Sequence, residues 1–193
     1  RLGDYGRPGN YYERQINRWS KQYQASTTEK IPEMDVLIEW LPRNMPEDDG
    51  ISTLIHGDYR LDNLMFAPDS LKVIAVFDWE LSTLGHPLAD LAYQMMQRSM
   101  GRDWHIQGLA GLDPQELGIP LDQDYINTYC RNRNISTIEN WPFYLAFSFF
   151  RFAAICQGVK ARAQQGNASS ADAERVGTMT KPLAALGHKI ISQ

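Results

Sequence analysis

The apolar positions divide the chain into segments of helical and of strand-like period. Tyr12, Ile16, Trp19 and Tyr23 recur at i, i+4, i+7 and i+11, one face of an amphipathic helix. Met34, Leu37, Ile38 and Leu41 predict a second, shorter helix closed by Pro42 and Pro46. Val73 to Phe77 is apolar and β-branched and predicts a buried strand; the turn composition of Ala67-Pro68-Asp69-Ser70 pairs it with Leu64–Phe66 in a hairpin. Ser82 to Pro87 reads as a loop. Pro87 through Met100 predicts a helix that buries Leu88, Leu91, Ala92, Met95 and Met96, with proline in the first turn, where its missing N–H costs nothing. Asp122 can cap a helix running to about Arg133, with Tyr125, Ile126 and Tyr129 on one face.

The clearest helix is Trp141 to Gln164. Tyr144, Leu145, Phe147, Phe149, Phe150, Phe152, Ala153 and Ile155 leave it almost no polar face, so it is expected at the centre of the fold. Arg151 is the lone charge in that half and must find a carboxylate or a wet cavity. A loop at Gly166–Ser170 follows, then a capping-box pattern at Ser169 and Asp172. Val176, Met179, Leu183, Leu186 and Ile190 line one last helix, which Pro182 is expected to kink. The irregular stretch Gly101 to Pro120 fits either a substrate-side flap or ordinary surface variation. Gly3, Gly6 and Gly9 lack the spacing, the preceding strand and the lysine of a phosphate loop, and read as linker.

Composition narrows the class. A chain of 193 residues with 43% hydrophobic and 22% charged residues suits one globular domain or one large lobe. A net charge of −4 with no basic run argues against nucleic acid, and no uninterrupted apolar run is long enough to predict a membrane span. Cys130 and Cys156 form no C-x-x-C pair, which leads us to expect two free thiols in the cytoplasm or another reducing intracellular compartment. The histidines have no zinc-ligand spacing.

The chemistry concentrates in His56-Gly57-Asp58-Tyr59-Arg60-Leu61-Asp62-Asn63 and in Phe77-Asp78-Trp79-Glu80. This is H-x-D-x-x-x-x-N followed by an apolar run ending in Asp. Phosphoryl transfer needs positioning and charge neutralisation more than covalent help. Asp58 is the candidate to orient the attacking hydroxyl and accept its proton. The Asn63 carbonyl and the Asp78 carboxylate are oxygen donors suited to magnesium, which draws its remaining ligands from phosphates and water.

With Gly85-His86-Pro87-Leu88-Ala89-Asp90-Leu91-Ala92, these segments resemble the aminoglycoside phosphotransferase family, small-molecule kinases of protein-kinase-like fold related to choline and homoserine kinases. The closest resemblance is to the branch associated with acyl-CoA dehydrogenases. The resemblance implies an α+β, mainly helical fold: residues 1–193 as the carboxy-terminal lobe, with a small β-hairpin at the catalytic loop. It implies Asp58 as the catalytic residue, Asn63 and Asp78 as magnesium and nucleotide ligands, and ATP and Mg2+ as cofactors. Arg60 stands where protein kinases often carry a phosphate-reaching Lys; a clamp and a solvated loop residue are both open. Asp90 is expected to brace the loop, and His56 to anchor it as a buried hydrogen-bonded residue. For His86 a structural role is favoured over a substrate contact. Gly57 replaces the arginine of H-R-D, and Asp78-Trp79-Glu80 replaces D-F-G, so the associated activation switches are not expected.

Nothing before Leu54 provides the strands or the lysine of a nucleotide-covering lobe, so this chain alone is expected to be inactive and to depend on a missing amino-terminal lobe. The leading function is transfer of the ATP γ-phosphate to a hydroxyl of a small molecule, with a hydroxyacyl compound or its CoA thioester suggested by the resemblance and an acyl-CoA dehydrogenase domain as partner. The alternatives are a catalytically silent binding module, an aminoglycoside kinase, or a magnesium-dependent phosphate hydrolase. The last lacks a D-x-D-x-T nucleophile motif.

Overall fold

A computed structural model describes residues 5–167 and 172–193. Among the described residues seven α-helices, three 3-10 turns and four short strands make a mainly helical α+β fold. Helix α5 (Trp141–Gln164) forms the axis, packed by α1 (Tyr11–Ser26), α2 (Pro32–Arg43), α3 (Leu88–Met96), α6 (Ala173–Thr178) and α7 (Thr180–Ile191). Its Phe143, Phe147, Phe149 and Phe150 are fully buried. Burying a phenylalanine contributes up to about 3 kcal/mol, so this helix supplies much of the core's apolar stabilisation. By length and composition α5 could cross a bilayer, but 78% of its apolar window is buried inside the fold, as a core helix requires.

The expected face of α1 is buried: Tyr12, Ile16, Trp19 and Tyr23 all face inward. Pro42 does not close α2, which continues to Arg43; Pro42 falls in the last turn, and Asn44 caps the end through bonds to the Trp40 carbonyl. Pro182 does not kink a single last helix. The chain breaks at Met179, and Pro182 lies in the first turn of α7, where a missing N–H is tolerated. Helix α4 (Asp122–Arg133) starts where predicted, but Asp122 does not cap it; its carboxylate pairs with Arg98 at 2.7 Å. Residues 101–120 carry no helix or strand. The capping box at Ser169 and the first linker glycine, Gly3, lie outside the described residues.

Two antiparallel ribbons carry the site. Strand β2 (Leu64–Phe66) pairs with β3 (Val73–Val76), as expected, with a register irregularity at Met65/Phe66. The expected burial of β3 is wrong: Val73 and Ile74 are 42% and 53% exposed, and Phe77 is also exposed. The reason is architectural, since among the described residues no other strand joins this ribbon. The second ribbon was not anticipated. Thr83–Gly85, expected as loop, is strand β4 and pairs with β1 (Thr53–Ile55). Gly85 permits this because a Cβ there would lie 2.6 Å from Ile55 Cδ1 and 2.7 Å from the Tyr11 ring.

Among the described residues Arg151 finds no carboxylate, and its Nε makes no hydrogen bond. Its guanidinium lies instead 5.7 Å from the centroid of Trp19 and 5.4 Å from that of Tyr93, where the ring faces offset its charge. Outside the core, Glu29 joins three elements by accepting from Lys160 Nζ at 2.6 Å and Lys181 Nζ at 2.5 Å. These two lysines lower its pKa from 4.5 to about 2.

The lowered carboxyl contributes stability above its unfolded value, and that contribution is lost as pH falls toward the folded value. In urea unfolding, Glu29→Gln should therefore lower the midpoint at neutral pH, with the gap to the parent closing between pH 4.5 and about 2. A gap that persists undiminished at the acid end would contradict this assignment.

Candidate active site

The loop between β1 and β2 is held from beneath by Asp90, on the first turn of α3. Its Oδ2 accepts from His56 N–H at 2.6 Å and its Oδ1 from Gly57 N–H at 2.9 Å. Both carboxylate oxygens are thus committed to the loop backbone, and charge-assisted bonds of this kind are stronger than neutral ones. Gly57 has φ +83°, and a Cβ there would come 2.5 Å from the Leu81 carbonyl oxygen. The arginine found here in protein kinases is replaced because this backbone leaves no room for a side chain.

His56 is the buried anchor expected of it, 2% exposed. Its Nδ1 accepts from Asp58 N–H at 3.2 Å and its Nε2 lies 2.6 Å from the Phe77 carbonyl, a pairing that puts the proton on Nε2. The imidazole therefore ties the Asp58 loop to the residue before Asp78. Trp79 covers it, ring centroids 4.9 Å apart.

Asn63, on a short 3-10 turn, donates from Nδ2 to the Asp58 carbonyl at 2.9 Å and to Asp58 Oδ2 at 3.2 Å. With the amide nitrogen turned toward Asp58, its side-chain oxygen accepts nothing among the described residues. The Asn63 main-chain carbonyl accepts from Phe77 N–H at 2.8 Å, which brings Asp78 alongside. Asp78 has φ +60°, a left-handed conformation uncommon for a residue with a side chain and typical of functional sites. Its side chain is exposed. Two oxygen donors beside an open face fit magnesium, which keeps most of its ligands from phosphate and water. Among the described residues no three His, Cys, Asp or Glu side chains form a metal cage of their own.

Arg60 is not a solvated loop residue. Its side chain is only 22% exposed, with Nη2 3.1 Å from Asp62 and Nε 3.9 Å from Asp58 Oδ2. His86 takes the structural role: Nδ1 accepts from Leu88 N–H at 3.3 Å, Nε2 meets Asp49 at 3.2 Å, and the ring stacks on Tyr144. Two residues near the loop escaped the sequence reading. Tyr93 is buried beside Asp58, and burial first, then the Asp58 charge, push its pKa up. Gln94 follows it with a buried side-chain oxygen that has no hydrogen-bond partner among the described residues. Both lie one helical turn beyond Asp90, at i+3 and i+4, and that spacing is the signal that could have found them.

A family model described as phosphotransferase enzyme family matches residues 1–134. Acyl-CoA dehydrogenase family member 10 of Mus musculus is 48% identical over 186 residues, covering 96% of this chain and 17% of that protein. Acyl-CoA dehydrogenase family member 11 of Homo sapiens is 45% identical over 187 residues, covering 96% of this chain and 24% of that protein. The chain therefore spans less than a quarter of these curated relatives. A crystal structure from Ralstonia eutropha JMP134, provisionally assigned as an aminoglycoside phosphotransferase, superposes with a TM-score of 0.91 at 49% identity, covering 98% of this chain and 57% of that one.

Replacing Asp90 by Asn leaves one of the two loop N–H groups facing an amide donor. Denaturant unfolding should show a loss of about 2–3 kcal/mol, with faster hydrogen exchange at residues 56 and 57. Gly57→Ala should cost at least about 1–2 kcal/mol, since it adds left-handed strain to a backbone clash.

Proposed function

Because the chain belongs to the phosphotransferase enzyme family, we propose that it carries the catalytic half of an ATP-dependent kinase that moves the γ-phosphate to a hydroxyl of a small molecule. The observation that carries this reading is the two-way contact of Asn63. Its amide holds Asp58 while its backbone carbonyl holds the chain leading to Asp78. One residue thereby couples the proposed base to the proposed metal ligand.

Asp58 orients the acceptor hydroxyl and takes its proton as the oxygen attacks phosphorus and the nucleoside diphosphate leaves. Asn63 Oδ1 and the Asp78 carboxylate would hold magnesium, which when bound neutralises charge on the phosphates. Arg60, restrained by Asp62, offers a fixed positive charge to the transferred phosphoryl group. The covering lobe belongs to the longer protein. The exposed apolar residues Leu61, Met65, Phe66, Ile74 and Phe77 offer it a surface to meet. The relatives are acyl-CoA dehydrogenase family proteins, and this favours a hydroxyacyl acceptor, free or as its CoA thioester.

The test is ADP release by the full-length protein with ATP, magnesium and either hydroxyacyl-CoAs or aminoglycosides. Asp58→Asn should lower kcat by about 100-fold or more, the scale of a lost general base, with little change in nucleotide affinity. Unchanged turnover in that variant would remove Asp58 from the role.

A further inference from the structure

We propose that Tyr93 is a positioning residue for the Asp58 carboxylate: its phenolic hydroxyl donates to that carboxylate and fixes the plane in which it meets the acceptor hydroxyl. The proposal rests on the phosphotransfer role of Asp58.

The need for such a residue follows from the loop. Asp90 fixes the backbone at residues 56 and 57, but a carboxylate still turns about its last bond, whose torsion is broad and two-fold. Asp58 Oδ2 accepts from Asn63 Nδ2 at 3.2 Å and lies 3.9 Å from Arg60 Nε. Asn63 and Arg60 belong to the same loop as Asp58, so a shift of the loop carries all three together. Orienting the carboxylate against the core takes a donor from outside the loop.

Tyr93 meets that requirement. It stands one turn beyond Asp90 on α3, which brings it beneath the residue that follows Gly57. It is 5% exposed, and its ring is held by two side chains of α5. Phe152 meets it edge-on with ring centroids 5.8 Å apart, and the Arg151 guanidinium lies 5.4 Å from its centroid. The ring is therefore not free to swing away from the loop. Burial first, then the Asp58 charge and hydrogen bonding to that carboxylate, push the phenol's pKa up against the pull of Arg151. The phenol stays protonated, and a protonated phenol facing an ionised carboxylate is a donor. An O–H···O− bond of this kind is charge-assisted and stronger than a neutral one. A phenylalanine would fill the same space between Phe152 and Arg151. What packing does not require is a hydroxyl beside the carboxylate.

The test uses the full-length protein and two readouts. In turnover with ATP, magnesium and hydroxyacyl-CoAs or aminoglycosides, Tyr93→Phe should lower kcat about ten-fold, with KM values within about two-fold of the parent's. In the Asp58→Asn background the same substitution should cost less than about two-fold, because the carboxylate it serves is gone. Tyr93→3-fluorotyrosine keeps the hydroxyl and should recover most of the rate lost in Tyr93→Phe, which a change of packing alone would not do. Its single fluorine resonance, read without nucleotide, should shift on Asp58→Asn. Equal losses from Tyr93→Phe in both backgrounds, a loss carried by KM alone, or an unmoved fluorine resonance would overturn the proposal. Failure of the phosphotransfer reading shows separately, as an Asp58→Asn protein that turns over like the parent while the fluorine resonance still shifts.

Discussion

The site depends on a single carboxylate that does no chemistry. Asp90 accepts two consecutive backbone N–H groups, from His56 and Gly57. A loop that turns through a positive φ between two strands leaves donors unpaired, and buried donors must be satisfied. Asp90 satisfies both with one charged group, and because it sits in the first turn of α3 the helix dipole favours its ionised form. The loop backbone is thus fixed to a helix that is itself packed on α5. Asp58, two residues after His56, inherits that rigidity.

Two charges in this fold, the half-buried Asp90 and the buried Arg151, are handled differently. Asp90 is paired with amides, as an anion near a helix N-terminus should be. Arg151 has no carboxylate partner among the described residues and lies between aromatic rings of α1 and α3. An ion pair at that point would require desolvating a second charge, whereas ring faces offset the first without adding another. The aromatic stripe of α1, which reads in the sequence as simple packing, therefore also shields a buried cation.

How much was legible follows from range. Residues whose role is local could be read: the faces of α1 and α5, the hairpin Leu64–Phe66 with Val73–Val76, and the order of Asp58, Asn63 and Asp78. Features set by contacts distant in sequence could not. The β1–β4 ribbon joins residues about thirty apart through three-residue strands too short to show a period. The burial of β3 was misjudged because a β-branched run reports strand preference, and whether anything covers the strand depends on its neighbours. Pro182 was placed correctly but misread: proline inside a helix and proline in a new first turn look alike until the break at Met179 is known.

Helix α3 is where these constraints meet. Asp90, Tyr93 and Gln94 stand at i, i+3 and i+4, so one face of one helix reaches the loop backbone and the Asp58 carboxylate and also lines the cavity beside α4. Placing these contacts on one rigid element fixes their relative positions without any direct bond among them. Proximity and orientation supply much of the rate in phosphoryl transfer, and an ångström of misplacement is costly. A rotation of α3 would shift the proposed base and the loop backbone together. The residues packed behind the helix, Arg151 against Tyr93 and Phe152 edge-on to the same ring, therefore bear on the placement of Asp58 although neither reaches it.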